Sequence, residues 1–222
     1  MSDLIMIEPT REPLTDDVAA LEIQLGGAPR GLVVLLTGQD TPEGEVVEVL
    51  NTLAAEGFEG LALTSDAPES VELALARAAV RGWHAEQIGV VGIGAGATAA
   101  LELARTRALG AVVSISPAPR LDVVLDDPVL RTPWLGLFGS EAGDLDAGEI
   151  SLLRTALESG SDVFSRVVVY PGVGADFHRR SEDGVSFSAS YDGWQRVVEW
   201  LLARVAGRLT PLALAWRERQ AG

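Results

Sequence analysis

The stretch that most restricts what this chain can fold into is Ile88-Gly89-Val90-Val91-Gly92-Ile93-Gly94-Ala95-Gly96-Ala97, followed by Thr98-Ala99-Ala100-Leu101-Glu102-Leu103-Ala104. A short apolar run, a turn made only of glycine, alanine and one isoleucine, and apolar positions at helical spacing together predict a strand, a sharp turn and a helix. Such a turn holds up the residue at its apex and leaves the first amides of the helix without intrahelical acceptors beside it. Frames of the type G-x-[SC]-x-G present a nucleophile this way. Here Gly92 and Gly96 keep the frame, and the apex is Gly94.

The rest of the chain repeats this alternation. Leu21 to Leu25 alternates apolar and polar residues and predicts a half-exposed strand, and Gly31 to Leu36 is a continuous apolar run suited to a strand covered on both faces. Thr41 is read as a helix cap with Pro42 at the first helical position, and Val46, Val47, Val49, Leu50, Leu53 and Ala54 give that helix an apolar face before Gly57. Further strands are expected at Leu61–Thr64, Ile88–Val91, Ala111–Ser116, Trp134–Gly139 and Ser165–Tyr170. Helices are expected over Ser70–Trp83 and Glu149–Glu158, with a closing helix carrying Trp194, Val197, Val198, Trp200, Leu201 and Leu202. Residues 1–20 read as an irregular acidic segment, 117–133 as an irregular Pro- and Asp-rich stretch, and 171–191 as a polar loop. The fold expectation is one α/β domain over 21–222, with a mainly parallel central sheet and helices on both faces. In such sheets ligands bind at the carboxyl ends of the strands.

Four pieces in that order resemble the dienelactone hydrolase family of α/β-hydrolases. Ile88 to Gly92 with Gly96 resembles its nucleophile elbow, and Leu53-Ala54-Ala55-Glu56-Gly57-Phe58 the helix end before its next strand. Leu135-Gly136-Leu137-Phe138-Gly139 resembles the strand leading to its acid, and Val169-Tyr170-Pro171-Gly172-x-Gly174 with Phe177-His178 its histidine loop. The resemblance implies a Cys–His–Asp triad, and carried over position by position the Cys falls on Gly94, the Asp on Ala142 and the His on Ala175. It also implies that Ala95, with a donor near Thr37-Gly38, would form an oxyanion hole. Between Asp66 and Ser70 the segment contributing to the family's cap is nearly absent, so a reduced cap is expected.

Two functional expectations follow. In the first, the chain is a catalytically degenerate dienelactone hydrolase-like protein that binds a small carboxylate or carbonyl compound, or acts in interactions, through Thr37, Gly38, Gly94, Ala95 and His178. In the second, it is a weak or divergent carboxylic-ester or lactone hydrolase that pairs His178 with a strand-end hydroxyl, the choices being Thr37, Ser65, Ser114 and Ser116; Glu141 and Asp144 flank the lost acid. His84 reads as structural. Gly92-x-Gly94-x-x-Ala97 also satisfies a dinucleotide fingerprint, but it follows two earlier strand–helix units, and Ser114 to Pro117 stands where an acidic residue should end the next strand.

Composition narrows the partners. A net charge of −15, with all 17 basic residues arginine, opposes nucleic-acid binding. Two histidines and no cysteine leave little for a transition metal and nothing for thiol chemistry, so no metal, cofactor or disulfide is expected. Asp3 and Glu8 break any signal-peptide pattern at the start, and the glycines around Gly92 argue against a membrane span, so a cytoplasmic location is the expectation. The apolar segment from Leu209 to Trp216 is a candidate surface for homo-oligomerisation.

Overall fold

A computed structural model describes residues 6–64, 67–179, 183–207 and 219. Eight strands form one sheet: β1 (Thr10–Pro13), β2 (Ala19–Ile23), β3 (Gly31–Leu36), β4 (Phe58–Leu63), β5 (Ile88–Ile93), β6 (Ala111–Ile115), β7 (Trp134–Gly139) and β8 (Ser165–Tyr170). Their order is β1-β2-β4-β3-β5-β6-β7-β8, with β1 and β2 antiparallel and every pairing from β4 to β8 parallel. Among the described residues six α-helices accompany them: α1 (Glu43–Ala55), α2 (Pro68–Val80), α3 (Ala95–Thr106), α4 (Leu121–Asp126), α5 (Ala147–Gly160) and α6 (Gly184–Arg204).

The continuous apolar strands are explained by the two cores they feed. In β3, Leu32, Val34 and Leu36 pack with α2, α3 and α5, whereas Val33 and Leu35 pack with α1 and α6. All five are fully buried. A strand with helices on both faces has no solvent side on which to place a polar residue, so alternation disappears. The alternating sequence of β2 behaves differently from its half-exposed expectation. Glu22 is buried, and with Glu59 of β4 it meets Arg81 at the end of α2; Arg77 of α2 reaches Glu22 at 2.9 Å. Buried carboxylates persist there because guanidinium groups replace the lost water.

Four expectations about the elements need correction. Residues 10–13 are not irregular: Thr10–Pro13 pairs with Ala19–Glu22 as an edge strand, where Pro13 does least harm at the strand's end. Thr41 does not cap α1, because Pro42 occupies the cap position without a side-chain bond. The Pro- and Asp-rich stretch contains α4, anchored by buried Val124. The presumed loop before Tyr191 is already helical from Gly184, because Asp183 accepts a bond from the Ser186 amide at 3.0 Å and Ala189, Ser190 and Gly193 are buried.

Candidate active site and its relatives

The turn between β5 and α3 is fixed by close backbone contacts. A Cβ at Gly92 would lie 2.3 Å from the Gly96 carbonyl oxygen, and one at Gly96 would lie 2.2 Å from that of Leu36. Only hydrogen fits at either place. Between them Gly94 adopts φ 58° and ψ −118°, donates its amide to Ile115 at 3.0 Å, and accepts from Ala97 at 3.0 Å. A Cβ at Gly94 would meet nothing within 4 Å. The turn therefore has the shape of an elbow that displays a side chain, with open space where that side chain would stand.

That space is a cavity of about 730 Å³ at the carboxyl ends of β3, β5 and β6. Thr37, Gly38, Gly94, Ala95, Ala175 and His178 all line it, so the structure brings together six of the seven positions expected from the sequence. Ala142 is not on its wall. It lies in the loop after β7, where its amide bonds to Gly139 at 3.3 Å, and Glu141 and Asp144 likewise lie off the cavity with exposed side chains.

The anion-binding elements divide unequally. Ala95 opens α3, so its amide has no acceptor within the helix. A Cβ at Gly38 would stand 3.7 Å from the Ala95 Cβ, which sets the Gly38 backbone beside it. Thr37 is spent elsewhere: its amide bonds to Leu63 at 3.0 Å and its hydroxyl donates to the same carbonyl. Of the pair expected after β3, Gly38 is thus the amide left to face a ligand.

The hydroxyls sort in the same way. Ser114 is fully buried, donates to the Ala97 carbonyl at 2.8 Å and accepts from the Trp134 indole at 3.0 Å, which makes it a structural clamp between β6, β7 and α3. Ser65 lies outside the described residues. Ser116 lines the cavity with φ 56°, the one non-glycine residue with positive φ among the described residues, and its hydroxyl donates to the Ala175 carbonyl at 2.6 Å.

His178 stands on the opposite wall with its ring edge-on to Phe177, centroids 6.4 Å apart. Its carbonyl is held by the Ser190 hydroxyl at 3.0 Å and the Trp194 indole at 2.9 Å, which ties the histidine loop to α6. Burial, and then the neighbouring Arg179 guanidinium, lower its pKa below the ordinary imidazole value. The ring is therefore neutral near pH 7, with Nδ1 buried and unbonded among the described residues. His84 is exposed and starts the 3₁₀ turn Ala85–Gln87, its amide bonded to the Gln87 side chain at 3.0 Å, in keeping with a structural role.

Sequence reasoning missed the third wall. Asp40 from the turn before α1, Glu45, Glu48 and Val49 from α1, and Phe187, Tyr191 and Trp194 from α6 also border the cavity. Arg179 bridges the two sides, 3.1 Å from Glu45 and 3.8 Å from Asp176. The three-residue spacing of Glu45 and Glu48 was the available signal, since it puts both on one helix face.

A mostly parallel eight-stranded sheet with an elbow at the end of β5 and a cavity over its apex defines an α/β-hydrolase fold. Solved structures agree. A candidate dienelactone hydrolase from Klebsiella pneumoniae superposes with a TM-score of 0.68 at 19% identity, covering 87% of this chain and 97% of that one. The propionate-bound esterase Est2 of Thermogutta terrifontis gives 0.69 at 13% identity, covering 90% and 95%. The sequence profile of the dienelactone hydrolase family matches residues 46–204, and the chain belongs to that family. A candidate carboxymethylenebutenolidase of Salmonella typhimurium is 32% identical over 85 residues, which is 38% of this chain and 30% of that protein; its Salmonella typhi counterpart is 31% identical over the same length. The match thus spans under a third of those relatives. No helix among the described residues is long and apolar enough to cross a membrane.

Proposed function

We propose that this chain is a non-hydrolysing member of the dienelactone hydrolase family that holds a small carbonyl-bearing molecule over Gly94. The observation that carries the reading is the elbow itself. Its backbone keeps φ 58° and ψ −118° and its flanking glycines are sterically obligatory, yet the apex offers only hydrogen to the cavity. Acyl transfer needs an atom that attacks, a base that takes its proton and a group that orients the base. The positions carried over from the family hold Gly94, Ala175 and Ala142, none of which can do any of these. Gly38 and Ala95 line the cavity, and the Ala95 amide, at the start of α3, has no acceptor within the helix; donors of that kind support binding of a carbonyl oxygen without turnover.

The test is paired. Purified protein incubated with aryl acetates and a dienelactone is expected to show no turnover above buffer, while small carbonyl compounds raise its melting temperature. Turnover abolished by His178→Ala would overturn the reading.

One observation favours a second reading, a weak hydrolase built on Ser116 and His178. A serine held at positive φ in the same cavity as a neutral imidazole is the kind of strain that gathers at working sites. Against it, the Ser116 hydroxyl donates to the Ala175 carbonyl, so its proton is already committed. Loss of turnover in Ser116→Ala as well as His178→Ala would favour this second reading.

A further inference from the structure

Binding a carbonyl over Gly94 leaves the charge of the rest of the ligand open, and the wall opposite the elbow bears on it. Among the described residues, four carboxylates border the cavity, Asp40, Glu45, Glu48 and Asp176, against one guanidinium, Arg179. Arg179 is already shared between Glu45 and Asp176. Asp40 and Glu48 are exposed and enter no ion pair among the described residues. The half-buried imidazole of His178 adds no positive charge near neutral pH. An anion in this cavity would face uncompensated negative charge inside the field of a chain of net charge −15.

A separate observation comes from α6. Phe187 and Tyr191 line the same cavity, yet they are 56% and 61% exposed, and their rings stack at 6.4 Å with planes 15° apart. Large aromatic side chains are seldom left so open when they could pack inward. Ring faces carry the negative part of the aromatic quadrupole, so a pair of them in the same cavity as carboxylates outside any ion pair attracts ammonium groups.

We propose that the ligand held over Gly94 is a small cationic molecule, its carbonyl at the Ala95 and Gly38 amides and its ammonium or quaternary ammonium group between Asp40, Glu48 and the Phe187–Tyr191 pair. The proposal rests on the binding reading above and adds the ligand's charge to it. Three probes of one shape separate the two: acetylcholine, its uncharged isostere 3,3-dimethylbutyl acetate, and the anionic 3-acetoxypropionate, each titrated by ligand-observed NMR. Acetylcholine is expected to bind about tenfold more tightly than the neutral isostere at low salt. The anion should bind least. Raising the salt to about 0.5 M, or replacing Asp40→Asn together with Glu48→Gln, should bring the ratio close to one. Both replaced residues are exposed, so the folded state is retained and circular dichroism checks it. A neutral or anionic probe that binds as well as acetylcholine would overturn the cationic assignment and leave carbonyl binding standing. Failure of all three to bind would overturn both.

Discussion

Two of the cavity's walls differ in construction. The elbow wall, from Leu36 to Gly96, is made of backbone, whereas the loop wall, from Ala175 to Arg179, is made of side chains on a connection. Along the elbow, missing atoms are a structural requirement, because a methyl group at Gly92 or Gly96 would run into carbonyl oxygens. Along the loops they are not, since Ala142 and Ala175 are only partly buried and their backbones are held by other bonds. Gly94 belongs to both: its conformation is set by the elbow, but its side-chain position opens on empty space. Side chains at the apex and on the loops can therefore vary at little cost in stability, while the turn persists because the sheet and α3 are packed through it.

The largest expected effect breaks the elbow. Gly96→Ala puts a Cβ against the Leu36 carbonyl at the end of β3 and the Thr37 amide that follows it, both backbone, and should destabilise by about 3 kcal/mol or more. For a domain of this size that is a fall of roughly 6–12 °C in Tm, readable by calorimetry. An unchanged Tm would show that the turn is not as tightly packed as its contacts indicate.

Gly94→Ala sharpens the contrast two residues away. The added methyl meets nothing within 4 Å, so the expected loss is the conformational cost of φ 58° in an L-residue alone, about 1–2 kcal/mol. Gly94→Cys should behave alike in stability. It should also remain inactive towards aryl esters, because neither a base nor an acid stands at Ala175 or Ala142. Robust esterase activity in Gly94→Cys alone would mean that His178 serves as base, and the division between the two walls would fail.

How far the sequence reveals each wall follows from the same difference. The elbow was legible because steric necessity leaves glycine at fixed spacing and burial on both faces leaves unbroken apolar runs, as in Gly31–Leu36 and Ile88–Ile93. The start of α6 was not, because Gly184, Ser186, Ser188 and Ser190 are weak helix formers held by the Asp183 cap and by burial of Ala189 and Gly193 beneath Phe177. The acidic wall was hidden for another reason. Charges opposite the apolar stripe of α1 read as a solvated surface, and only the three-dimensional placement of α6 and the 175–179 loop encloses Glu45 and Glu48 in a cavity.

The smallest expected effect concerns His178, the imidazole of the loop wall. Burial lowers its folded-state pKa below its ordinary value of 6.5. Between that lowered value and 6.5 the unfolded chain binds a proton that the folded chain does not, so stability falls as pH drops through this window. A single such group contributes a slope of at most about 1.4 kcal/mol per pH unit. Acidic residues add slopes of the same sign, so the measurement must be a difference: urea unfolding of the native chain and of His178→Gln at pH 7.5, 6.5 and 5.5. The native chain should lose more stability over that range than the variant does. Parallel curves would mean that the imidazole is solvated and charges freely in the folded state, which would put positive charge on the loop wall and remove the electrostatic difference between it and the elbow.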